Sequence, residues 1–273
     1  MIQYIQARQN EDGGYSFAQG AESSAADTYY AVQILTMLGA EPRDVADTIR
    51  FMTGLQHEDG GFDSINVAYY VASTLNELGE KPQKSLEGFL LSLQRPTGAF
   101  GSLEADIESP SEFEATFYSL RLLRLLGRAF PADNARQLLL SLQNDDGSFG
   151  RSGYSRLGST YHALASLGLI GFDARALHHT LEWVRSCEIP SGGFRGSPDS
   201  VDPYIVMDGI YYGVLCLEVY SANFRYPSQT LDLIGRFQNE NGGFRRSVFL
   251  GISTFESTYQ AIAASLTVLS KCE

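Results

Sequence analysis

The sequence contains few basic residues, little cysteine and no long apolar run, and each shortage excludes a class of protein. Its three cysteines, Cys187, Cys216 and Cys272, are an odd number at unrelated spacings, which indicates neither a disulfide framework nor a Cys-x-x-Cys metal site. No apolar stretch is long enough to cross a bilayer, and the start of the chain lacks the basic and apolar regions of a secretory signal. We therefore expect a cytoplasmic protein without a membrane span.

The shortage of basic residues also bears on binding partners. The net charge is −12 at pH 7. Nucleic-acid phosphates require a basic patch, so this balance excludes nucleic acid as an expected partner. It argues mildly against anionic membrane surfaces as well. A solubilising surface is the simpler interpretation of this acidity, and an acidic functional surface is the alternative.

One short sequence motif, called the phrase below, occurs six times in the chain. It consists of Gln (Glu in one copy), three mostly polar residues, Gly, a small residue, then Phe or Tyr. The copies begin at Gln9, Gln56, Gln94, Gln143, Glu188 and Gln238, and they end at Tyr15, Phe62, Phe100, Phe149, Phe194 and Phe244. Successive copies begin 38 to 50 residues apart. A motif at such a period marks one supersecondary unit that is stacked repeatedly to bury its apolar face.

Each unit is predicted to be a helical hairpin. Ser23 and Ser24 can cap a helix that Gly39 stops, and Pro42 can open a second helix that leads to Gln56. Helices after a phrase carry tyrosine and small residues, whereas helices leading into a phrase carry charges. We predict an all-α, α/α-toroid fold of six hairpins. Six parallel helices form an inner barrel within an outer barrel of six, as a single domain over residues 1–273.

The six phrases resemble those of the prenyltransferase/squalene-cyclase repeat superfamily, over essentially the whole chain. Their Gly-Gly-Phe form is most similar to the β subunits of protein prenyltransferases, including geranylgeranyl transferase type II. Cyclase repeats usually end in Trp, and the single tryptophan here, Trp183, lies outside every phrase. The phrases themselves are interpreted as folding elements: the glycines allow a sharp turn, and the Gln amide satisfies backbone groups at a helix end.

The resemblance implies a catalytic zinc whose ligands are not retained. In the β subunits an Asp-x-Cys-Tyr cluster and a His hold the metal. Asp208 and Tyr211 match, but Ile210 stands where Cys is expected and Glu256 where His is expected. Ile cannot ligate a metal, and an Asp with a Glu is a hard-oxygen pair unsuited to a thiolate-activating zinc. We expect no zinc, and Asp208 and Glu256 remain as candidate catalytic acids.

The resemblance also implies a diphosphate site, which is at most half present. Arg195 lies near the position of the family's loop cations, Arg156 falls where the family has a cationic or His side chain, and Tyr211 matches a phosphate-contacting tyrosine. Two acidic inserts, residues 103–112 and 197–204, are expected at the same mouth. Their carboxylates would either repel a bare diphosphate or hold a divalent ion that accompanies it. Mg²⁺ therefore remains an open alternative as the ion bound together with a diphosphate substrate. Solvated loops are the simpler interpretation of both inserts.

Aromatic residues on the predicted inner helices form the candidate substrate-binding wall. With Arg156 and Arg195, the predicted substrate-binding residues are Tyr29, Tyr69, Tyr70, Phe117, Tyr161, Tyr211, Tyr212 and Tyr259. Such a wall suits an isoprenoid chain, because aromatic faces stabilise cations formed from it. The alternative is that these rings only fill the centre of the fold. His162 is interpreted as a packing residue.

Three functions follow as hypotheses. The first is an enzyme acting on an isoprenoid or similar apolar substrate, as a transferase or a terpene-cyclase-like protein without the family's zinc. The second is a non-catalytic isoprenoid-binding protein. The third is a scaffold subunit for a helical partner, as β subunits of the family hold an α subunit.

Overall fold

The protein is described by a computed structural model over residues 1–101, 110–128, 132–151, 156–200 and 205–272. Within these ranges the chain forms twelve α-helices and a short 3-10 helix, and it forms no strand. The helices are α1 (Ile2–Gln6), α2 (Ala25–Met37), α3 (Val45–Gly54), α4 (Ile65–Glu77), α5 (Glu87–Leu93), α6 (Pro110–Leu125), α7 (Ala132–Ser141), α8 (Arg156–Leu169), α9 (His178–Cys187), α10 (Met207–Val219), α11 (Pro227–Gly235) and α12 (Phe255–Leu269). The predicted all-helical fold with twelve helices is confirmed.

The helices belong to two compact units. The first unit comprises Met1–Ser92, Gln238–Arg246 and Leu250–Ile262, and the second comprises Leu93–Phe237, Ser247–Phe249 and Ala263–Glu273. In the first unit α4 packs against α2 and α3, and in the second α8 packs against both α6 and α10. None of the helices in the described ranges combines the length and the apolar character that crossing a membrane requires. The single-domain organisation stays a prediction.

Even-numbered and odd-numbered helices differ in burial, as their compositions predict. Helix α4 buries seven side chains, among them Ala68, Val71 and Leu75, whereas α3 buries only Thr48 and Met52. Small and apolar residues on several faces suit a helix packed between neighbours, while one buried stripe suits a helix facing solvent. The helices that follow a phrase therefore build the core of each unit.

Each phrase makes a tight reversal that only glycine allows. In the first phrase Gly13 has φ of 88°, and a Cβ atom there would lie 2.2 Å from the carbonyl carbon of Asp47. The turn is closed by hydrogen bonds from Gly13 N–H to Asn10 O (3.0 Å) and from Asn10 N–H to Gly14 O (2.9 Å). Tyr15, which ends the phrase, is completely buried. The glycine thus provides both the backbone conformation and the room for the next helix.

The glutamine that opens the phrase joins one hairpin to the next. Gln9 Nε2 donates to Gly13 O at 3.1 Å, to Asp44 O at 2.8 Å and to Thr48 Oγ1 at 2.9 Å, and its Oε1 accepts from Asp44 N–H at 2.9 Å. Gln143 repeats two of these contacts, to Gly147 O and to Thr180 Oγ1. The amide therefore satisfies backbone groups at the start of the next odd-numbered helix, as a helix terminus requires.

In the fifth phrase a carboxylate, instead of an amide, makes the contact that joins one hairpin to the next. Glu188 Oε1 accepts from Arg225 N–H at 2.9 Å, which corresponds to the contact between Gln9 and Asp44. Its Oε2 accepts from Arg185 Nη1 at 2.9 Å. Because a carboxylate cannot donate, Thr230 Oγ1 accepts from Gly193 N–H at 3.1 Å rather than from the side chain at the head of the phrase. The fifth joint therefore depends on a charge.

In four of the phrases, a threonine of the following helix accepts a hydrogen bond from the backbone of the aromatic residue that ends the phrase. The backbone N–H groups of Tyr15, Phe100, Phe149 and Phe244 donate to the hydroxyl oxygens of Thr28, Thr116, Thr160 and Thr258 at distances of 3.0, 3.2, 3.0 and 2.9 Å. Thr160 is completely buried. Each bond satisfies a buried backbone donor that would otherwise lack a partner.

Replacing Thr160 with Val is expected to lower the free energy of unfolding by about 1.5 kcal/mol, because the isosteric side chain leaves the Phe149 N–H buried without an acceptor. Urea denaturation measures the change. Thr267→Val is the matched control, since the Thr267 hydroxyl donates only to Ala263 O of its own helix. Equal stability of the Thr160→Val and Thr267→Val proteins would contradict this role.

The start of α3 differs from the sequence prediction. Pro42 does not open the helix, because α3 begins at Val45 with Asp44 as its N-cap, whose carboxylate accepts from Asp47 N–H at 3.0 Å. Gln9 holds the Asp44 backbone at this point, so the inter-hairpin contact sets the helix start. The predicted cap of α2 is present: Ser24 Oγ accepts from Asp27 N–H at 3.0 Å.

Candidate functional site

The candidate site residues occupy one register on the even-numbered helices. In five of them two consecutive side chains, one to two turns into the helix, are aromatic or His: Tyr29-Tyr30, Tyr69-Tyr70, Phe117-Tyr118, Tyr161-His162 and Tyr211-Tyr212. In α12 the pair is Tyr259-Gln260. Because the helices share this register, the side chains of neighbouring helices meet, and they form one cluster in each unit.

The first unit holds a tyrosine cluster made of Tyr29, Tyr30, Tyr69, Tyr70 and Tyr259. Tyr29 stacks on Tyr70 with ring centroids 5.0 Å apart, and its hydroxyl lies 3.5 Å from that of Tyr69. Tyr259 of α12 lies 5.4 Å from Tyr30 and 6.3 Å from Tyr29, measured between ring centroids. Tyr29 and Tyr69 are buried and the other three are half-buried. The cluster is an aromatic surface with hydroxyl groups that keeps partial access.

The second unit holds a mixed cluster made of Phe117, Tyr118, Tyr161, His162, Tyr211 and Tyr212 from α6, α8 and α10. Tyr161 lies 5.7 Å from Phe117 and 5.7 Å from Tyr212, and Tyr212 lies 5.2 Å from Tyr211, again between ring centroids. Tyr161, Tyr211 and Tyr212 are half-buried. The guanidinium carbon of Arg121 lies 5.8 Å from the Phe117 ring centroid, so one ring of this cluster already makes a cation–π contact.

His162 is enclosed by the mixed cluster. Its ring stacks on Phe117 at 5.3 Å and meets Tyr212 edge-on at 5.3 Å, and the residue is 6% exposed. Burial disfavours the imidazolium and lowers the pKa of His162 to about 3. The side chain is therefore a neutral imidazole at physiological pH, which agrees with the interpretation of His162 as a packing residue.

The two predicted catalytic acids lie one turn before the aromatic pairs. Glu256 of α12, in the first unit, is exposed, and its Oε1 accepts from Tyr30 Oη at 3.4 Å. Asp208, in the first turn of α10 in the second unit, is half-buried. Glu114 of α6 occupies the same register, and its Oε1 accepts from Tyr118 Oη at 3.0 Å. Each cluster thus has a carboxyl group at its helix N-terminal edge.

Arg156, predicted to contact a phosphate, is engaged by the fourth phrase. Its Nη1 donates to Asp146 Oδ2 at 2.7 Å and to Ser148 Oγ at 2.9 Å, and its guanidinium carbon lies 5.2 Å from the Trp183 ring centroid. Although burial favours the neutral acid, hydrogen bonds from Ser148 and Arg156 hold the pKa of Asp146 below its ordinary value. The structure thus gives Arg156 a role in the turn, which its family position did not indicate.

Arg195 is half-buried directly after the fifth phrase, where its backbone N–H donates to Cys187 O at 2.9 Å. The predicted acidic inserts fall largely outside the described residues, which omit 102–109 and 201–204. Their proposed part in holding a divalent ion stays a prediction.

The residues at the family's zinc position do not fit that metal. Ile210 is completely buried and has no donor atom, and a Cβ atom on Gly193 would lie 3.2 Å from its Cγ1. Tetrahedral zinc requires several thiolate, imidazole or carboxylate ligands. Within the part of the chain that the structure describes, no three His, Cys, Asp or Glu side chains are placed to hold a metal ion. The expected lack of zinc stays a prediction.

The sequence interpretation missed several members of the clusters, namely Tyr30, Tyr118 and Glu114, and it missed the Thr partners of the phrases. Two signals were available. Thr precedes the first aromatic of the pair in α2, α6, α8 and α12, and Tyr30 and Tyr118 stand at the same position of their pairs as Tyr70 and Tyr212.

Comparison with known proteins identifies the family. The model of the prenyltransferase alpha-alpha toroid domain matches residues 1–68, 63–155 and 151–272. The chain belongs to this family. Its all-helical structure, with hairpins joined by the repeated phrases, is the alpha-alpha toroid fold predicted from the sequence.

Individual relatives include terpene-processing and protein-prenylating enzymes. The chain is 27% identical over 225 residues to a drimenyl diphosphate synthase of Streptantibioticus cattleyicolor, an alignment covering 74% of this chain and 42% of that protein. The chain thus spans less than half the length of the curated relatives it matches. Protein geranylgeranyltransferase-I of Candida albicans, solved with GGPP, has a TM-score of 0.74 and 16% identity, with 99% of this chain and 91% of that chain covered. Type II terpene cyclase MstE of Scytonema has a TM-score of 0.64 and 12% identity, with 99% and 96% covered. These two structures establish the likeness of fold.

Proposed function

We propose that this chain is an isoprenoid-processing enzyme, or the toroid part of one, of the terpene-cyclase type. The observation that carries the proposal is the pair of aromatic clusters, each built from three even-numbered helices. Partly accessible rings with centroids 5.0 to 6.3 Å apart offer a wall for a prenyl chain. The sequence similarity to drimenyl diphosphate synthases and the residues at the zinc position support a cyclase-like reaction over zinc-dependent protein prenylation.

Aromatic faces suit the chemistry of such a reaction. Addition of a proton to an alkene of a prenyl chain creates a carbocation, and ring closure moves the positive charge along the chain. The negative faces of the Tyr and Phe rings stabilise that charge without reacting with it as a strong base does. The protein gives one proton at the start and one is lost from the final cation, so the reaction balances without a redox cofactor.

Asp208 and Glu256 are proposed as the acids, each beside one cluster. Arg195, with the N–H groups at the N-termini of even-numbered helices, is proposed to attract the diphosphate. Arg156 is proposed to contribute through the turn that it stabilises. Mg²⁺ is proposed only as the ion that accompanies a diphosphate. The proposal also includes a location in the cytoplasm.

A direct test combines ligand binding with product analysis. Farnesyl and geranylgeranyl diphosphate are expected to stabilise the protein against thermal unfolding, by about 2.7 kcal/mol at a hundredfold excess over the dissociation constant. Tyr161→Leu should weaken that binding at least tenfold, whereas Tyr161→Phe should retain it, because only the aromatic face is required. Tyr226→Leu, at the start of the odd-numbered helix α11, is the matched control and should change nothing.

Gas chromatography of the products then separates the alternatives. Conversion that Asp208→Asn or Glu256→Gln removes, with binding retained, supports the acid role of that residue. Binding without conversion by the unaltered protein would identify a non-catalytic isoprenoid-binding protein. Failure of both prenyl diphosphates to bind would overturn the proposal and favour a scaffold for a helical partner subunit.

A further inference from the structure

Helix α12 carries an amide at a position where the other even-numbered helices from α2 to α10 carry a ring. Gln260 is the second member of the pair in α12, and the corresponding side chains are Tyr30, Tyr70, Tyr118, His162 and Tyr212. Gln260 belongs to the first unit and is 2% exposed. Burial of an amide is unfavourable unless its polar atoms are hydrogen-bonded, so the partners of this side chain have to be identified.

The carbonyl oxygen of this amide lacks a partner. Gln260 Oε1 is buried, and no donor in the part of the chain that the structure describes is placed to hydrogen-bond to it. A buried acceptor without a donor carries the full penalty of its desolvation, and nearly all such groups in proteins bind a protein atom or an ordered water. Because the carbonyl oxygen can only accept, the missing partner is an O–H or N–H donor from outside the chain.

The amide shares one face of α12 with a carboxyl group. Glu256 lies four residues before Gln260, which places the two side chains on the same face about one turn apart. Tyr30 Oη donates to Glu256 Oε1 at 3.4 Å, and the Tyr30 ring centroid lies 5.4 Å from that of Tyr259. Glu256 is exposed, whereas Gln260 is buried. This face therefore leads from a carboxyl group in contact with solvent to an amide at the register of the tyrosine cluster.

We infer that Gln260 holds a water molecule that ends the reaction by adding to the final carbocation. The inference rests on the proposed cyclase-type function and specifies its product, which is a cyclic terpene alcohol rather than an alkene. Water is the donor that fits, because the hydrocarbon chain of a prenyl diphosphate carries neither O–H nor N–H groups. Water bound between polar side chains is also nearly as favourable as a direct hydrogen bond.

The step needs no further reactant. The water oxygen gives a lone pair to the cationic carbon and forms the C–O bond, while one O–H bond of the water breaks. The released proton passes to Glu256, which has given its own proton to the alkene at the start of the proposed reaction, so the acid is regenerated. Gln260 Oε1 accepts from the second O–H bond and orients the water, and a neutral amide does this without taking up the proton itself.

Product analysis in ¹⁸O-labelled water tests the inference. Farnesyl diphosphate is incubated with the protein, and the intact diphosphates are separated by liquid chromatography and weighed by mass spectrometry. The main product of the unaltered protein is expected to have gained one labelled water. Gln260→Leu should retain conversion but lower the ratio of alcohol to alkene at least tenfold, because the cation then loses a proton instead. Gln137→Leu, at an exposed position of α7, is the matched control and should leave the ratio unchanged.

A binding measurement tests the same acceptor without turnover. Cedrol is a cyclic terpene alcohol, and cedryl methyl ether has the same skeleton without an O–H donor. In isothermal titration calorimetry the unaltered protein is expected to bind cedrol at least fivefold more tightly than the ether. Gln260→Leu should remove this preference, and Gln137→Leu should keep it. If Gln260→Leu misfolds by circular dichroism, the label and the calorimetric preference of the unaltered protein decide.

The outcomes separate this inference from the proposed function. Conversion of farnesyl diphosphate to an alkene without labelled alcohol would overturn the inference and leave the proposed function intact. An alcohol fraction that Gln260→Leu leaves unchanged, or equal affinity of the unaltered protein for cedrol and its ether, would also overturn it. Absence of any conversion would remove the proposed function, and the inference would fall with it.

Discussion

Replacing Gly213 with Ala is expected to lower the free energy of unfolding by about 3 kcal/mol, because the added methyl group overpacks the contact between α10 and the fifth phrase. Gly213 lies in α10, and an added Cβ atom would approach the ring of Phe194 to between 2.3 and 2.5 Å. Phe194 ends the fifth phrase and is 2% exposed, so its ring has no room to withdraw. Helix α10 would therefore have to move, and Tyr211 and Tyr212 would move with it.

Gly168→Ala is the matched control. Gly168 lies in α8, is exposed, and has nothing within 4 Å of an added Cβ atom. There the substitution should stabilise the protein by about 0.5 kcal/mol, because Ala loses less backbone entropy than Gly in a helix. Guanidinium denaturation of both variants gives the difference. A second change, Phe194→Leu, should recover part of the loss in Gly213→Ala, and a loss of under 1 kcal/mol in Gly213→Ala itself would refute the close contact.

Acidification from pH 7 to pH 5 is expected to cost about 2 kcal/mol of stability through His162 alone. The native pKa of this residue is lowered to about 3 by burial, whereas an unfolded histidine titrates near 6.5. Between these values the unfolded chain binds a proton that the native protein does not bind. Stability therefore falls as the pH drops through 6.5, and the loss continues until the pH approaches the native pKa.

His162→Phe should remove this component, because a phenyl ring keeps the stacking on Phe117 and does not titrate. Its stability should fall about 2 kcal/mol less than that of the unaltered protein between pH 7 and pH 5. His179→Gln, at an exposed position of α9, should retain the full loss. Protonation of His162 above pH 5.5, observed by NMR of its ring carbons, would show that the ring is solvated.

The repeated phrase made the fold predictable, because its period, its glycines and the composition of the flanking helices all indicated the same hairpin. The residues before α3 contain two competing start signals, Pro42 as a first helical residue and Asp44 as an N-cap, and the hydrogen bonds between the distant Gln9 and Asp44 accompany the second. Long-range hydrogen bonds of this kind leave no local signal.

The clustering of the aromatic side chains was predictable from the sequence, but the charges and protonation states around them were not. Tyr29, Tyr161 and Tyr212 could be assigned to the helix face that meets its neighbours from the hairpin register. Arg156 could not be assigned to Asp146 in the same way, because its position at the head of α8 suits a phosphate as well as a turn carboxylate. The lowered pKa of His162 depends on four surrounding rings from three helices, which only the packing reveals.

The joints between hairpins also limit how this chain can be rearranged in evolution. Where Gln opens the phrase, a hairpin carries its own connector and needs only a Thr or a helix-start backbone from its neighbour, so such a unit can be duplicated or exchanged. The fifth hairpin is different, because the Glu188 carboxylate forms ion pairs with the side chains of Arg185 before it (2.9 Å) and Arg225 after it (3.7 Å). That hairpin can be inherited only together with a matching successor, and the two form a single unit of exchange.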